Sequence, residues 1–82
     1  MYKIILTQRA LKDLERIDKE TQRRIAVKLK EYANNPLIHA KKLVSPKIGE
    51  YRLRIGDYRV IFDIEGENIV ILRIGHRKSI YK

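Results

Sequence analysis

The chain has 82 residues, with 19 Lys and Arg against 10 Asp and Glu, a formal net charge of +9 and no cysteine. The length suits one domain, 1–82, with a thin core. The absence of cysteine excludes disulfides, thiol catalysis and cysteine-ligated zinc, and no apolar run approaches the ~20 residues that span a bilayer. The N-terminal stretch has neither a long apolar core nor a small-residue cleavage site, so a soluble, cytoplasmic protein is expected. Residues 7–33 hold eight basic and five acidic side chains, 41–62 hold six and two, and 73–82 hold four basic and no acidic ones. The excess charge therefore gathers in the second half, which favours a polyanion or an acidic protein as partner.

Residues 2–6 alternate loosely and read as a strand. Thr7 suits a helix N-cap, because its hydroxyl can accept from a free N–H of the first turn. Ala10, Leu11, Leu14 and Ile17 then recur at helical spacing. Asp18 is a second cap, with Glu20 favourably placed in the first turn of the next helix. That helix runs to about Ala33, with Ile25, Ala26, Leu29, Tyr32 and Ala33 on one stripe. Asn34-Asn35-Pro36 ends it. Two helices joined so closely predict an antiparallel hairpin over a sheet face.

Residues 36–49 have no clear period and read as a loop, with a turn of helix near Ile38 to Ala40. Tyr51-Arg52-Leu53-Arg54-Ile55-Gly56-Asp57-Tyr58-Arg59-Val60-Ile61-Phe62 reads as two strands around a tight turn. Alternation places Tyr51, Leu53, Ile55, Tyr58, Val60 and Phe62 toward the core, and Arg52, Arg54, Arg59 and Ile61 on the outer face. Glu65-Gly66-Glu67-Asn68 is a second turn. Residues 69–74 form a last strand, apolar on both faces and so interior. The order β-α-α-β-β-β predicts an α+β domain: a mainly antiparallel four-stranded sheet with an N-terminal helical hairpin on one face.

Arginines on an open sheet face suit phosphate, because guanidinium stays charged and offers a planar fork of donors. The tail adds His76, Arg77 and Tyr81 after the last strand, where they can reach the same face. His76 can titrate near neutrality, and Tyr81 can stack on a base or share a proton. This set is chemically sufficient to cleave an RNA backbone without a metal: activate a 2′-hydroxyl, stabilise the phosphorane and protonate the leaving 5′-oxygen. Alternating arginine also fits a plain solvated face. A metal site is not expected, since His39 and His76 are the only histidines and Asp63, Glu65 and Glu67 gather at a turn. No cofactor motif is present.

The chain resembles the RelE/ParE superfamily of toxins from type II toxin–antitoxin pairs. The resemblance rests on Leu11-Lys12-Asp13-Leu14, Lys42-Leu43, the 51–62 hairpin and Gly75-His76-Arg77-Lys78-Ser79-Ile80-Tyr81, and covers essentially the whole chain. The RelE branch cuts mRNA in the ribosomal A site and is held in check by a RelB-like antitoxin. The resemblance implies Arg52, Arg54, Arg59, Arg77 and Tyr81 as the working set; Arg54, Arg59, Arg77 and Tyr81 are read as catalytic, and Arg52, together with Lys47 and His76, as substrate-binding. In this scheme Arg59 and Arg77 hold the scissile phosphate, while Arg52 and Arg54 grip the backbone. Some nuclease members carry lysine where this chain has Arg52 and Arg54. Arginine is a poor general base, so these two read as charge stabilisers, and proton abstraction falls to Tyr81, His76 or a ribosomal group.

Two other readings stay open from the sequence. The ParE branch shares the fold but poisons DNA gyrase without nuclease chemistry. A nucleic-acid-binding module could instead act only with its antitoxin at operator DNA. The partners expected across these readings are an antitoxin with an acidic amphipathic segment, the ribosome with mRNA, and operator DNA.

Overall fold

The computed structural model describes residues 2–42 and 49–80. The order of elements is β1 (Lys3–Leu6), α1 (Gln8–Glu15), α2 (Lys19–Tyr32), α3 (Pro36–His39), β2 (Lys41–Lys42), β3 (Tyr51–Ile55), β4 (Tyr58–Glu65) and β5 (Asn68–His76). Among the described residues the strands form one sheet of five, in the order β1-β5-β4-β3-β2. β1 runs parallel to β5, and the other three pairings are antiparallel.

The α+β class and the helix positions agree with the sequence reading, but the four-stranded sheet is corrected to five strands of mixed direction. The extra strand, β2, lies in the stretch read as loop. It is two lysines paired to Arg52 and Tyr51. So short a strand has no alternation to detect, and it exists because the free edge of β3 offers it partners. α3 is one turn long and opens on Pro36 at its first position, where a missing N–H costs nothing.

Thr7 joins the sheet to the first helix. Its N–H and hydroxyl both donate to the Ile71 carbonyl, at 3.1 and 2.8 Å, while its Oγ1 accepts from Ala10 N–H at 3.2 Å. The Gln22 side chain closes the α1–α2 connection by donating to the Leu14 and Ile17 carbonyls at 2.8 and 2.7 Å. Asp18 caps α2 by accepting from Thr21 N–H at 3.0 Å.

The core lies between the helices and one sheet face. Ala10, Ile17, Ile25, Leu29 and Ala33 pack on Leu53, Ile55, Val60, Phe62, Ile69, Ile71 and Ile74. Tyr51 and Phe62, directly paired across β3 and β4, stack with ring centroids 5.5 Å apart. Gly56 and Gly66 both adopt φ of +60° at the first central position of two-residue hairpin turns. That is the type II′ geometry, which matches strand twist and strongly favours glycine there. On β5 the register steps from Ile61↔Arg73 to Phe62↔Ile71, leaving Leu72 as an extra, bulged residue.

The second sheet face is less open than its arginine pattern predicts. Ile61 lies on it yet is 0% exposed. Gly49 sits on top: a Cβ there would lie 2.7 Å from Ile61 Cγ2 and 2.8 Å from Leu72 Cδ1. Asp63 holds this crossing by accepting from Glu50 N–H at 2.7 Å.

Candidate nucleic-acid interface

Register builds the site. Residues paired across neighbouring strands project from the same face, with strands about 4.8 Å apart. One row across β2, β3, β4 and β5 reads Lys41, Arg52, Ile61, Arg73. The next reads Arg54, Arg59, Gly75 across β3, β4 and β5. Arg54 is exposed and Arg52 half-buried. Two guanidinium groups two residues apart on a strand, without an acidic partner among the described residues, can face successive groups of an anionic chain.

The other arginines are engaged. Arg59 shares the face of Arg54, as alternation requires, but it is 7% exposed rather than at the surface. Its Nη1 folds back over the turn and donates to the Gly56 and Tyr58 carbonyls at 3.0 and 2.9 Å. A buried charge is tolerable when hydrogen-bonded in this way. Arg73 donates through Nε to Asp13 Oδ2 at 2.8 Å, and the same oxygen accepts from Ile74 N–H at 3.0 Å. Asp13 thus ties α1 to the part of β5 beyond the end of β1. Arg77 places Nε 3.7 Å from Asp57 Oδ1, and its N–H donates to the Asp57 carbonyl at 2.8 Å.

The tail folds over the arginine face. Ser79 and Ile80 N–H groups both donate to the His76 carbonyl at 2.9 Å. This turn lays Ile80, 3% exposed, against Gly75, where a Cβ would meet Ile80 Cδ1 at 2.8 Å. Gly75 pairs with Arg59, so Ile80 covers the arginine side of the sheet. The absent side chain at Gly75 is what lets the tail come so close.

His76 is placed differently from the sequence expectation. It pairs with Tyr58, and the two rings meet edge to face at 5.5 Å on the face that carries the helices. Its Nδ1 accepts from Lys78 N–H at 3.2 Å. One residue of strand phase separates it from Gly75, which turns it away from Arg54 and Arg59. Lys47 and Tyr81 lie outside the described residues. The structure therefore brings Arg52, Arg54 and Arg59 to one face of the sheet, sets Arg77 beside the β3–β4 turn, and leaves His76 on the other face.

Sequence reasoning missed Lys41, Arg73 and Asp57. Lys41 had no pattern to mark it. Arg73 was visible as a lone charge in an apolar strand, but its partner, Asp13, is 60 residues away in sequence. Asp57 read as an ordinary turn residue. Among the described residues no group of three or more metal-ligating side chains converges, and no helix is long and apolar enough to cross a membrane.

A helical pair on one face of a mixed sheet, with a basic row on the other and a C-terminal turn folded onto that row, defines a small basic α+β domain. The chain belongs to the RelE/ParE superfamily of toxins from type II toxin–antitoxin systems. Residues 4–81 match the family described as ParE toxin of type II toxin-antitoxin system, parDE. The chain is 32% identical over 83 residues to Toxin RelE3 of Methanocaldococcus jannaschii, covering 96% of this chain and 94% of that one. Its fold is similar to the toxin–antitoxin complex RelBE2 from Mycobacterium tuberculosis, with TM-score 0.82 and 26% identity over 93% of this chain and 98% of that one. It is also similar to the archaeal RelE–RelB complex from Pyrococcus horikoshii, with TM-score 0.76 and 26% identity over 95% and 97%. The protein is a toxin of a RelBE-type system.

Proposed function

We propose that this toxin is a metal-independent endoribonuclease that cuts mRNA on translating ribosomes, in the cytoplasm where those ribosomes are. The observation that carries the reading is the Arg52 and Arg54 pair on the outer face of β3, with Arg77 at the same end of the sheet. The 2′-oxygen attacks its adjacent phosphorus as it loses a proton, and the P–O5′ bond breaks as that oxygen gains one. The products are a 2′,3′-cyclic phosphate and a 5′-hydroxyl. Arg54 and Arg52 neutralise the charge that develops on the phosphorane, where fixed donors act most strongly. Arg77 exchanges its exposed ion pair with Asp57 for the phosphate, an easy exchange because such pairs contribute little. Arg59 acts from beneath as a fixed charge that also holds the turn. Tyr81 handles the proton or stacks on a base. Lys47 adds charge to the RNA track, and His76 anchors the turn of the tail.

The partner in this reading is a RelB-like antitoxin, since relatives in this fold were solved as RelB–RelE complexes. An acidic amphipathic segment suits it. Ile4, Leu6, Leu14, Ile25, Ala26 and Leu29 line an apolar cleft of about 190 Å³ with Lys30 at its edge, and Leu11 and Val27 are exposed. Apolar side chains would fill the cleft, and acidic ones would face a chain of net charge +9.

A second reading, a gyrase-directed toxin without catalysis, draws on two observations: the matching family is named for ParE, and three of the arginines already serve internal contacts. Induction of the toxin followed by primer extension on a reporter mRNA separates them. Codon-positioned cuts are expected. Gyrase-linked DNA breaks without cuts would replace the nuclease reading with the second one, and neither outcome would favour action at operator DNA with the antitoxin.

A further inference from the structure

The turn between β3 and β4 presents three successive carbonyls, and arginine takes all three. Arg59 Nη1 bonds the outer two, Gly56 and Tyr58, leaving the middle one, Asp57, to accept from Arg77 N–H at 2.8 Å. The Asp57 carboxylate then reaches Arg77 Nε at 3.7 Å. On the other side of the same turn, the Arg24 guanidinium of α2 lies 3.2 Å from the point where a Gly56 Cβ would stand. Asp57 is thus a carboxylate beside Arg77, on a turn whose neighbouring residues Gly56 and Tyr58 also meet arginine, in a region whose proposed ligand is itself an anion. An acid there works against RNA binding by simple Coulomb attraction, so its presence asks for another role.

We infer that Asp57 is a positioning residue that docks the C-terminal tail on the arginine face and presents Arg77 to the substrate phosphate. Among the described residues the tail is held by its turn onto the His76 carbonyl, the seat of Ile80 on Gly75 and the two-point contact of Arg77 with Asp57. The backbone contact sets where the chain leaves β5. The carboxylate sets the direction of the guanidinium. Both partners of the ion pair are more than half exposed, at 55% and 67%, so the contact orients Arg77 without binding it tightly. A phosphate can accept both edges of the guanidinium fork and so displaces the carboxylate.

The catalytic consequence rests on the nuclease reading, whereas the docking of the tail does not. The test uses the full chain and Asp57→Asn, which keeps a turn-compatible residue of the same shape and removes the charge. A surface charge and a positioning residue predict opposite signs. If Asp57 were only a charge, the variant would bind ribosomes more tightly and cleave as fast or faster. If it positions the tail, single-turnover cleavage at saturating ribosome concentration falls about tenfold while binding is unchanged or tighter, since misplaced groups lose rate without losing affinity. Asp57→Glu, which retains the carboxylate, is expected to recover most of the rate.

Hydrogen exchange on the free proteins supplies a readout that needs no activity. The Arg77 and Ile80 amides should exchange faster in Asp57→Asn than in the wild type, with the Val60 and Ile71 amides unchanged. Wild-type protection at Arg77 and Ile80 in the variant would overturn the proposal, as would undiminished cleavage. A wild type that cuts no ribosome-bound mRNA would defeat the nuclease reading instead, and the exchange result would still decide whether Asp57 docks the tail.

Discussion

The two faces of the central strands come from alternate residues of the same segments and solve opposite problems. On the helix side, Leu53, Val60, Phe62 and Ile74 are buried by elements that arrive with their own apolar stripes. Their contribution is non-directional and scales with area, so one kind of contact serves every position. On the other side each charge has its own answer. Arg54 faces water, Arg59 is folded onto carbonyls, Arg73 is paired to a helix and Arg77 to a turn. Alternation decides which face a residue takes. What returns to cover that face, here Gly49, the turn and Ile80, decides whether it is exposed.

Four measurements would break or sharpen that contrast, beginning with the largest effect. Phe62→Ala should cost about 3–5 kcal/mol, much of the stability of a small domain, because a ring in the middle of β4 leaves a cavity that neighbours fill poorly. Urea unfolding checks it, and an unchanged midpoint would mean that the helix face is not the core. Arg54→Ala should do the reverse. Cleavage on programmed ribosomes should fall about 10²–10³-fold, as for loss of one transition-state donor. The unfolding midpoint should move by no more than about 0.5 kcal/mol, as for an exposed side chain. Wild-type cleavage by folded protein would remove Arg54 from the site.

Arg59→Ala separates two cross-strand neighbours that alternation treats alike. Removing this guanidinium strips the donor from the Gly56 and Tyr58 carbonyls, so the variant should lose about 1–3 kcal/mol of stability as well as activity. Stability equal to the Arg54 variant would show that its burial does not matter. The smallest effect is expected at Asp18. The hydrogen bond from Thr21 holds its carboxyl below the ordinary carboxylate value of 3.8. A depressed folded pKa means that the stabilisation is present above the unfolded value and is lost as pH falls through the folded one. Thermal unfolding from about pH 5 to about pH 2 should therefore show a slightly shallower loss in Asp18→Asn than in the wild type, since the variant has no proton to take up there. Identical slopes would leave the cap without a role in acid stability.

Much was legible from the sequence alone, because the signals were local. The caps at Thr7 and Asp18, the helical stripe from Ile25 to Ala33, the glycine turns and the alternation of 51–62 each depend on neighbours within a few residues. The family resemblance came from the same stretches. Tertiary structure decided the rest. The two-residue strand β2 has no period of its own and forms where β3 leaves an edge. The bulge at Leu72 shifts the phase of β5 relative to β4, and with it which charge stands opposite Ile61. Arg59 became a buried brace, and His76 turned to the helix face, because exposure and facing near the turn depend on where the tail lies and on strand phase. Asp57 gained a partner 20 positions on, and Asp13 one 60 positions on, since electrostatic contacts follow distance in space and leave no spacing in the chain to read.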